Sequence, residues 1–140
     1  MRLAQDRLTI ETKARDIKEI TPEVAGWAAR QRIARGLLTI FIPHTSASLL
    51  IQENYSPAVR QDLAAFLARL APEEPALYRH NDEGPDDMPA HLRAAVTQVQ
   101  LTIPVAEGRL QLGTWQGIFL CEFDGPRQRT VFVKVVSDPS

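Results

Sequence analysis

Val99-Gln100-Leu101-Thr102-Ile103, Arg109-Leu110-Gln111-Leu112, Trp115-Gln116-Gly117-Ile118-Phe119-Leu120-Cys121-Glu122-Phe123 and Thr130-Val131-Phe132-Val133-Lys134-Val135-Val136 follow one another through the last third of the chain. Each is short and rich in apolar residues, many of them β-branched or aromatic. Gly108, Gly113-Thr114 and the Asp124-Gly125-Pro126 turn separate them, so all four read as strands. Four strands in succession with no intervening helical pattern argue against a doubly wound or barrel fold, which would require regular βα alternation.

Working upstream, the period changes several times. Asp87 and Pro89 can open a short helix through His91, Leu92 and Val96. Before it, Ser56-Pro57 opens a helix in which Val59, Leu63, Phe66, Leu67 and Leu70 recur at spacings of three and four, the pattern of a face packed on a core. Leu49-Leu50-Ile51 reads as a short strand. Leu37 to Ile42 is an unbroken apolar run too short for a membrane span, and reads as a central strand buried on both faces. Thr21-Pro22 supplies a cap and first position for a helix whose stripe, Val24, Trp27, Ala28 and Ile33, runs to a stop at Gly36. Leu8 and Ile10 alternate with polar neighbours as a half-buried strand does, and Ile17 to Ile20 adds a short extended piece. The expected fold is a single α+β domain over residues 1–140, with a largely antiparallel or mixed β-sheet and two to three helices on one side.

Composition bounds the function. With 140 residues, 44% of them apolar and 24% charged, the chain can bury a core of its own. A net charge of −1 with both signs interspersed marks neither a nucleic-acid nor a membrane partner. One cysteine, Cys121, excludes an internal disulfide, and the start at Met1-Arg2-Leu3-Ala4-Gln5-Asp6 lacks the apolar segment of a signal peptide, so a cytoplasmic location is expected. There is no Walker-type loop, dinucleotide fingerprint or Gly-x-Ser-x-Gly elbow.

The chemistry concentrates in the polar run from Tyr78 to His91, which carries His80, His91, Asp82, Glu83, Asp86 and Asp87. Such a run can be a solvated loop with a Gly84-Pro85 turn. The histidines argue for more: the chain has three, two lie here, and His44 sits in another polar motif, His44-Thr45-Ser46-Ala47-Ser48. Histidine beside carboxylate suits either metal coordination or proton transfer. His91, placed in the first turn of its helix, would be kept neutral by the helix dipole, and neutral imidazole is the form that binds metal. Three histidines without cysteine partners match the catalytic zinc pattern, so His44, His80 and His91 are the expected ligands of a divalent ion, zinc first. Asp82 is a candidate general acid or base.

His44-Thr45-Ser46-Ala47, the Glu53-Asn54 pair, Arg79 to His91, Gly108-Arg109-Leu110 and Leu112-Gly113-Thr114-Trp115-Gln116-Gly117 together resemble the signatures of the YjbQ-like family, called secondary thiamine-phosphate synthases, nearly from end to end. Ser46 stands where relatives often have threonine. The resemblance implies an α+β homotrimer whose signature residues share one pocket, and a transferase joining a pyrimidine diphosphate to a thiazole phosphate, expected to be slow because the chain has no dedicated diphosphate loop and no barrel scaffold. In that pocket Thr45, Ser46, Ser48, Asn54 and Asn81 would offer polar contacts, Arg79 and Arg109 cationic forks for a phosphorylated or otherwise anionic small molecule, and Trp115 and Gln116 a stacking face and an amide. Glu122 joins Asp82 as a catalytic candidate if its strand face meets the pocket, while Cys121, on the opposite face with Phe119 and Phe123, reads as a buried structural thiol. The alternative expectation is a metal-dependent binding or hydrolytic protein in which synthase activity is incidental.

Overall fold

Most of the strands alternate one buried and one outward residue, and that alternation sorts the chain into layers. The computed structural model describes residues 1–139. The chain runs β1 (Leu3–Glu11), β2 (Asp16–Glu19), α1 (Thr21–Arg30), β3 (Arg35–Phe41), β4 (Ala47–Glu53), α2 (Pro57–Leu70), a 3₁₀ turn (Pro75–Leu77), α3 (Asp87–Ala95), β5 (Gln100–Ala106), β6 (Arg109–Leu110), β7 (Gln116–Glu122) and β8 (Gln128–Ser137). A five-stranded sheet has the order β1-β8-β3-β5-β6, and a three-stranded sheet the order β2-β7-β4. Every pairing is antiparallel.

The two sheets share one core. Leu38 and Ile40 of β3, Ile103 of β5 and Val131, Val133 and Val135 of β8 meet Leu49 of β4 and Ile118 and Leu120 of β7, and α1 adds Val24 and Trp27. The other side of the small sheet packs against helices: Cys121 and Phe123 meet Leu67 of α2 and Ala90 and Ala94 of α3. Strand β7 is thus paired on both edges and covered on both faces, which is why it is apolar almost throughout and buried from Gly117 to Glu122. No helix among the described residues is long and apolar enough to cross a membrane.

Four local expectations are corrected. The run Leu37 to Ile42 is buried on one face only: Leu38, Ile40 and Ile42 point inward, whereas Leu37 is 50% and Phe41 41% exposed on the uncovered outer face of the large sheet. Helix α1 ends at Arg30, not near Gly36, because Arg32 turns the chain with φ 54°. Gly36 belongs to β3, where a Cβ would lie 2.1 Å from the Val136 carbonyl oxygen, so this glycine serves close strand approach and not helix termination. The α2 stripe buries only Leu67, and Phe66 and Leu70 are more than half exposed, since α2 leans on β2 and α3 without a further layer above it. The helices do not all lie on one side either, for α1 packs into the core between the sheets while α2 and α3 cover the small sheet.

Candidate metal centre

Helix α3 begins where the polar run ends. Gly84, at φ 103°, takes a backbone conformation that a side chain would strain, and two residues later Asp86 occupies the cap position of the helix. Asp87 and His91 are four residues apart on α3 and therefore share a face. The preceding loop brings in His80. The Nε2 atoms of His80 and His91 lie 2.8 and 3.2 Å from the same oxygen, Oδ2 of Asp87, and the two imidazole centroids are 5.9 Å apart. The three ligand atoms lie within 4.8 Å of one another, a donor set of the nitrogen and oxygen type that divalent zinc takes.

Protonation at this cluster is constrained. Burial pushes the Asp87 carboxyl up, but the bond to His80 and the charges of both imidazoles outweigh it and hold the group below the usual range. His91 Nδ1 lies 3.1 Å from the Thr45 carbonyl oxygen, which can only accept, so Nδ1 carries the proton and donates it. That bond turns the other ring nitrogen, Nε2, toward Asp87. His91 is the fifth residue of α3, one turn further in than the sequence suggested, so the Thr45 carbonyl sets its tautomer in place of the helix dipole.

His44 is engaged elsewhere. Its Nε2 accepts the Thr130 backbone N–H at 3.0 Å, and burial, followed by the charges of Arg129 and Arg127 against the opposing pull of Glu122, lowers its pKa. Asp87 completes the cluster with His80 and His91. Glu122 is also committed: its carboxylate accepts from Thr12 Oγ1 at 2.5 Å, from Arg129 Nε at 2.7 Å and from Arg129 Nη2, and from the Asp124 N–H at 3.1 Å. Arg129 Nη2 also donates to Ser46 Oγ at 3.0 Å. Glu122, Arg129, Thr12 and Ser46 form a buried polar knot, and Glu122 keeps no face open to a substrate. Ser48 is buried and bonded to Thr97, and burial raises the Cys121 thiol to about 12.

The remaining candidates divide among three places. Arg79 and Asp82 are exposed in the loop that carries His80, while Asn81 Nδ2 donates to the Tyr78 and Pro75 carbonyls at 2.7 and 3.2 Å, shaping that loop. Asn54, Trp115 and Gln116 lie at the other end of the small sheet. Ala47 pairs with Glu122 and Glu53 with Gln116, six residues along β4, or about 20 Å at ~3.3 Å per residue. There the Asn54 amide donates to Glu19 at 3.0 Å, Gln116 Oε1 accepts the Gly113 N–H at 2.8 Å, and Trp115, 57% exposed, makes an edge contact with Tyr55. Arg109 is exposed on β6. Within one chain these residues do not gather into a single pocket with the histidines.

Asp87 stands among the four carboxylates of the polar run in the sequence reading and not among the expected ligands, and Arg129 of the buried knot is not singled out there. The i,i+4 spacing of Asp87 and His91 on a helix would have exposed the first, and the odd-numbered inward face of β8 the second, since Arg129 shares it with Val131, Val133 and Val135.

A two-sheet antiparallel α+β domain with a His-Asp-His cluster at the start of a short helix defines the architecture. Residues 6–138 match the family described as UPF0047 protein YjbQ-like, and the chain belongs to that family. A UPF0047 protein of Synechocystis sp. is 47% identical over 132 residues, covering 94% of this chain and 90% of that protein. The UPF0047 protein YjbQ of Escherichia coli O157:H7 is 42% identical over 119 residues, covering 84% and 86%. Among solved structures, a conserved hypothetical protein of Thermus thermophilus superposes with a TM-score of 0.85 at 40% identity, covering 94% of this chain and 99% of that one. A YbjQ-like protein of Sulfolobus solfataricus does so with a TM-score of 0.89 at 27% identity, covering 98% and 99%.

Proposed function

We propose that the chain is a metal-dependent enzyme acting on a small phosphorylated or otherwise anionic molecule, with a divalent ion, zinc first, held by His80, Asp87 and His91. One observation carries the reading. The Nε2 atoms of His80 and His91 converge on one Asp87 carboxylate oxygen, and the Thr45 carbonyl holds His91 Nδ1 so that Nε2 faces that shared point, which is the donor set and orientation a divalent ion takes. When bound, the ion supplies Lewis acidity toward a phosphoryl oxygen or a water of lowered pKa. Asp87 and the two imidazoles would orient it, Arg79 would offer its exposed guanidinium to substrate phosphate, and Asp82, exposed in the same loop, is the candidate for proton transfer.

Trp115, Asn54 and Gln116, from the far end of the small sheet, and Arg109, from β6 of the large sheet, then serve substrate, which requires a neighbouring copy in the expected homotrimer to bring them to the histidines. Glu122, consumed by Arg129, serves structure in this reading. The activity we propose is slow formation of thiamine phosphate from a pyrimidine diphosphate and a thiazole phosphate, in the cytoplasm. A second reading, metal-dependent binding or hydrolysis, is favoured by the exposure of His80, whose side chain is 43% accessible. Pyrophosphate release that requires both substrates, falls in Arg109→Ala and disappears in His80→Ala supports the synthase. Phosphate release from either substrate alone supports the second reading, and pyrophosphate release at native level in both variants rules out this site.

A further inference from the structure

A cavity of about 350 Å³ lies on the helical side of β7, under α2, and none of His80, Asp87 or His91 lines it. Its walls are largely apolar, including Ile17, Leu67, Pro72 and Phe123. At about 30 Å³ each, it has room for roughly a dozen non-hydrogen atoms.

One cation in this wall makes no ion pair. Arg93 of α3 is 8% exposed and makes no ion pair among the described residues. Its Nη2 donates to the Ala71 carbonyl at 2.8 Å, closing the C-terminal end of α2, but its buried Nε–H has no acceptor. A guanidinium has five N–H donors, so this helix-end bond leaves most of its capacity unused. A buried cation needs a paired anion to offset its desolvation. The carboxylates of the wall do not pair with it: Glu73 bonds Arg15 at 3.1 Å and reaches Arg93 only through its charge, Glu122 is engaged by Arg129, and Asp16 makes no ion pair with Arg93.

We propose that this cavity binds a small monocarboxylate with an apolar body, its head group paired with Arg93 and its tail laid between Leu67 and Phe123. Calorimetric titration of the full native chain with octanoate is expected to saturate at one per chain. Octan-1-ol should bind at least about tenfold more weakly, the difference expected for a charged hydrogen-bonded head. Arg93→Met should weaken octanoate by a similar factor while leaving octan-1-ol unchanged, and the retained alcohol shows that the variant folds. Ala64→Trp, placed at an exposed position of α2 on the cavity wall, should abolish binding of both with the far-ultraviolet circular dichroism preserved. Octanoate that fails to saturate at millimolar concentration overturns the assignment, as does octan-1-ol binding equal to octanoate, or octanoate binding unchanged in Ala64→Trp or in Arg93→Met.

Discussion

Replacing Arg129 with methionine should destabilise the protein more than almost any other single change of similar volume. The side chains of Glu122 and Arg129 are 1% and 4% exposed, and Arg129 supplies two of the donors to the Glu122 carboxylate. Without it a buried carboxylate keeps only the Thr12 hydroxyl and the Asp124 N–H. Removing one partner of a buried pair costs about 3–5 kcal/mol. For a chain of this size that lowers Tm by on the order of 10 °C or more.

The pH dependence carries a sign. In the native protein burial pushes Glu122 up, but Arg129, Thr12 and the Asp124 N–H together hold its pKa below the ordinary value, so its stabilisation is present above about 4.3 and is lost as pH falls through the lowered folded value. In Arg129→Met the folded pKa rises above the unfolded one, so the native state holds the extra proton and the deficit against the parent shrinks as pH falls toward 4. Urea titration followed by circular dichroism at neutral and mildly acidic pH measures both effects. A variant within about 1 kcal/mol of the parent at neutral pH refutes the reasoning, because a charge left unpaired at this depth could not cost so little. Glu122→Leu combined with Arg129→Met should recover much of the loss, since no charge then remains orphaned.

Gly36→Ala should prevent close pairing of β3 with β8, because backbone and not a flexible side chain meets the new methyl; we expect a loss of several kcal/mol or insoluble protein, read from expression and thermal melts. The half-exposed Leu37 and Phe41 on the uncovered sheet face are where subunits of a homotrimer would meet, so Leu37→Asp with Phe41→Asp should lower the mass found by light scattering while leaving circular dichroism unchanged. A parent chain that is monomeric at micromolar concentration refutes the assembly. In a trimer with shared sites, mixing His91→Ala with Arg109→Ala chains should give activity above that of either variant alone, and no such gain places the whole site within one copy.

The closing strands were legible because their turns are marked by Gly108, Gly113 and Gly125 and their interiors alternate. Face assignment was harder. Leu37-Leu38 look alike in a sequence, and only the pairing partners decide that Leu38 enters the core while Leu37 meets solvent, because nothing in the local pattern records that a second sheet covers one side alone. Phe66 and Leu70 misled for a related reason: their helical spacing is that of a core face, yet no further layer of the domain covers them. At the site, the polar run and His80 with His91 could be read directly. The substitution of Asp87 for His44 could not, since what engages His44 elsewhere, the Thr130 N–H and the neighbouring Arg129, lies some 86 residues away in the chain.

Elemental analysis of the native chain, purified without chelator or histidine tag, together with its single alanine variants, addresses the His80–Asp87–His91 centre itself. The geometry predicts close to one zinc or similar divalent ion per chain, lost in His80→Ala, Asp87→Ala and His91→Ala. His44→Ala should retain it, because the ring nitrogen that His44 turns inward already accepts a backbone hydrogen bond. Metal-free native protein, or metal content unchanged by the His80, Asp87 and His91 substitutions, would contradict the account.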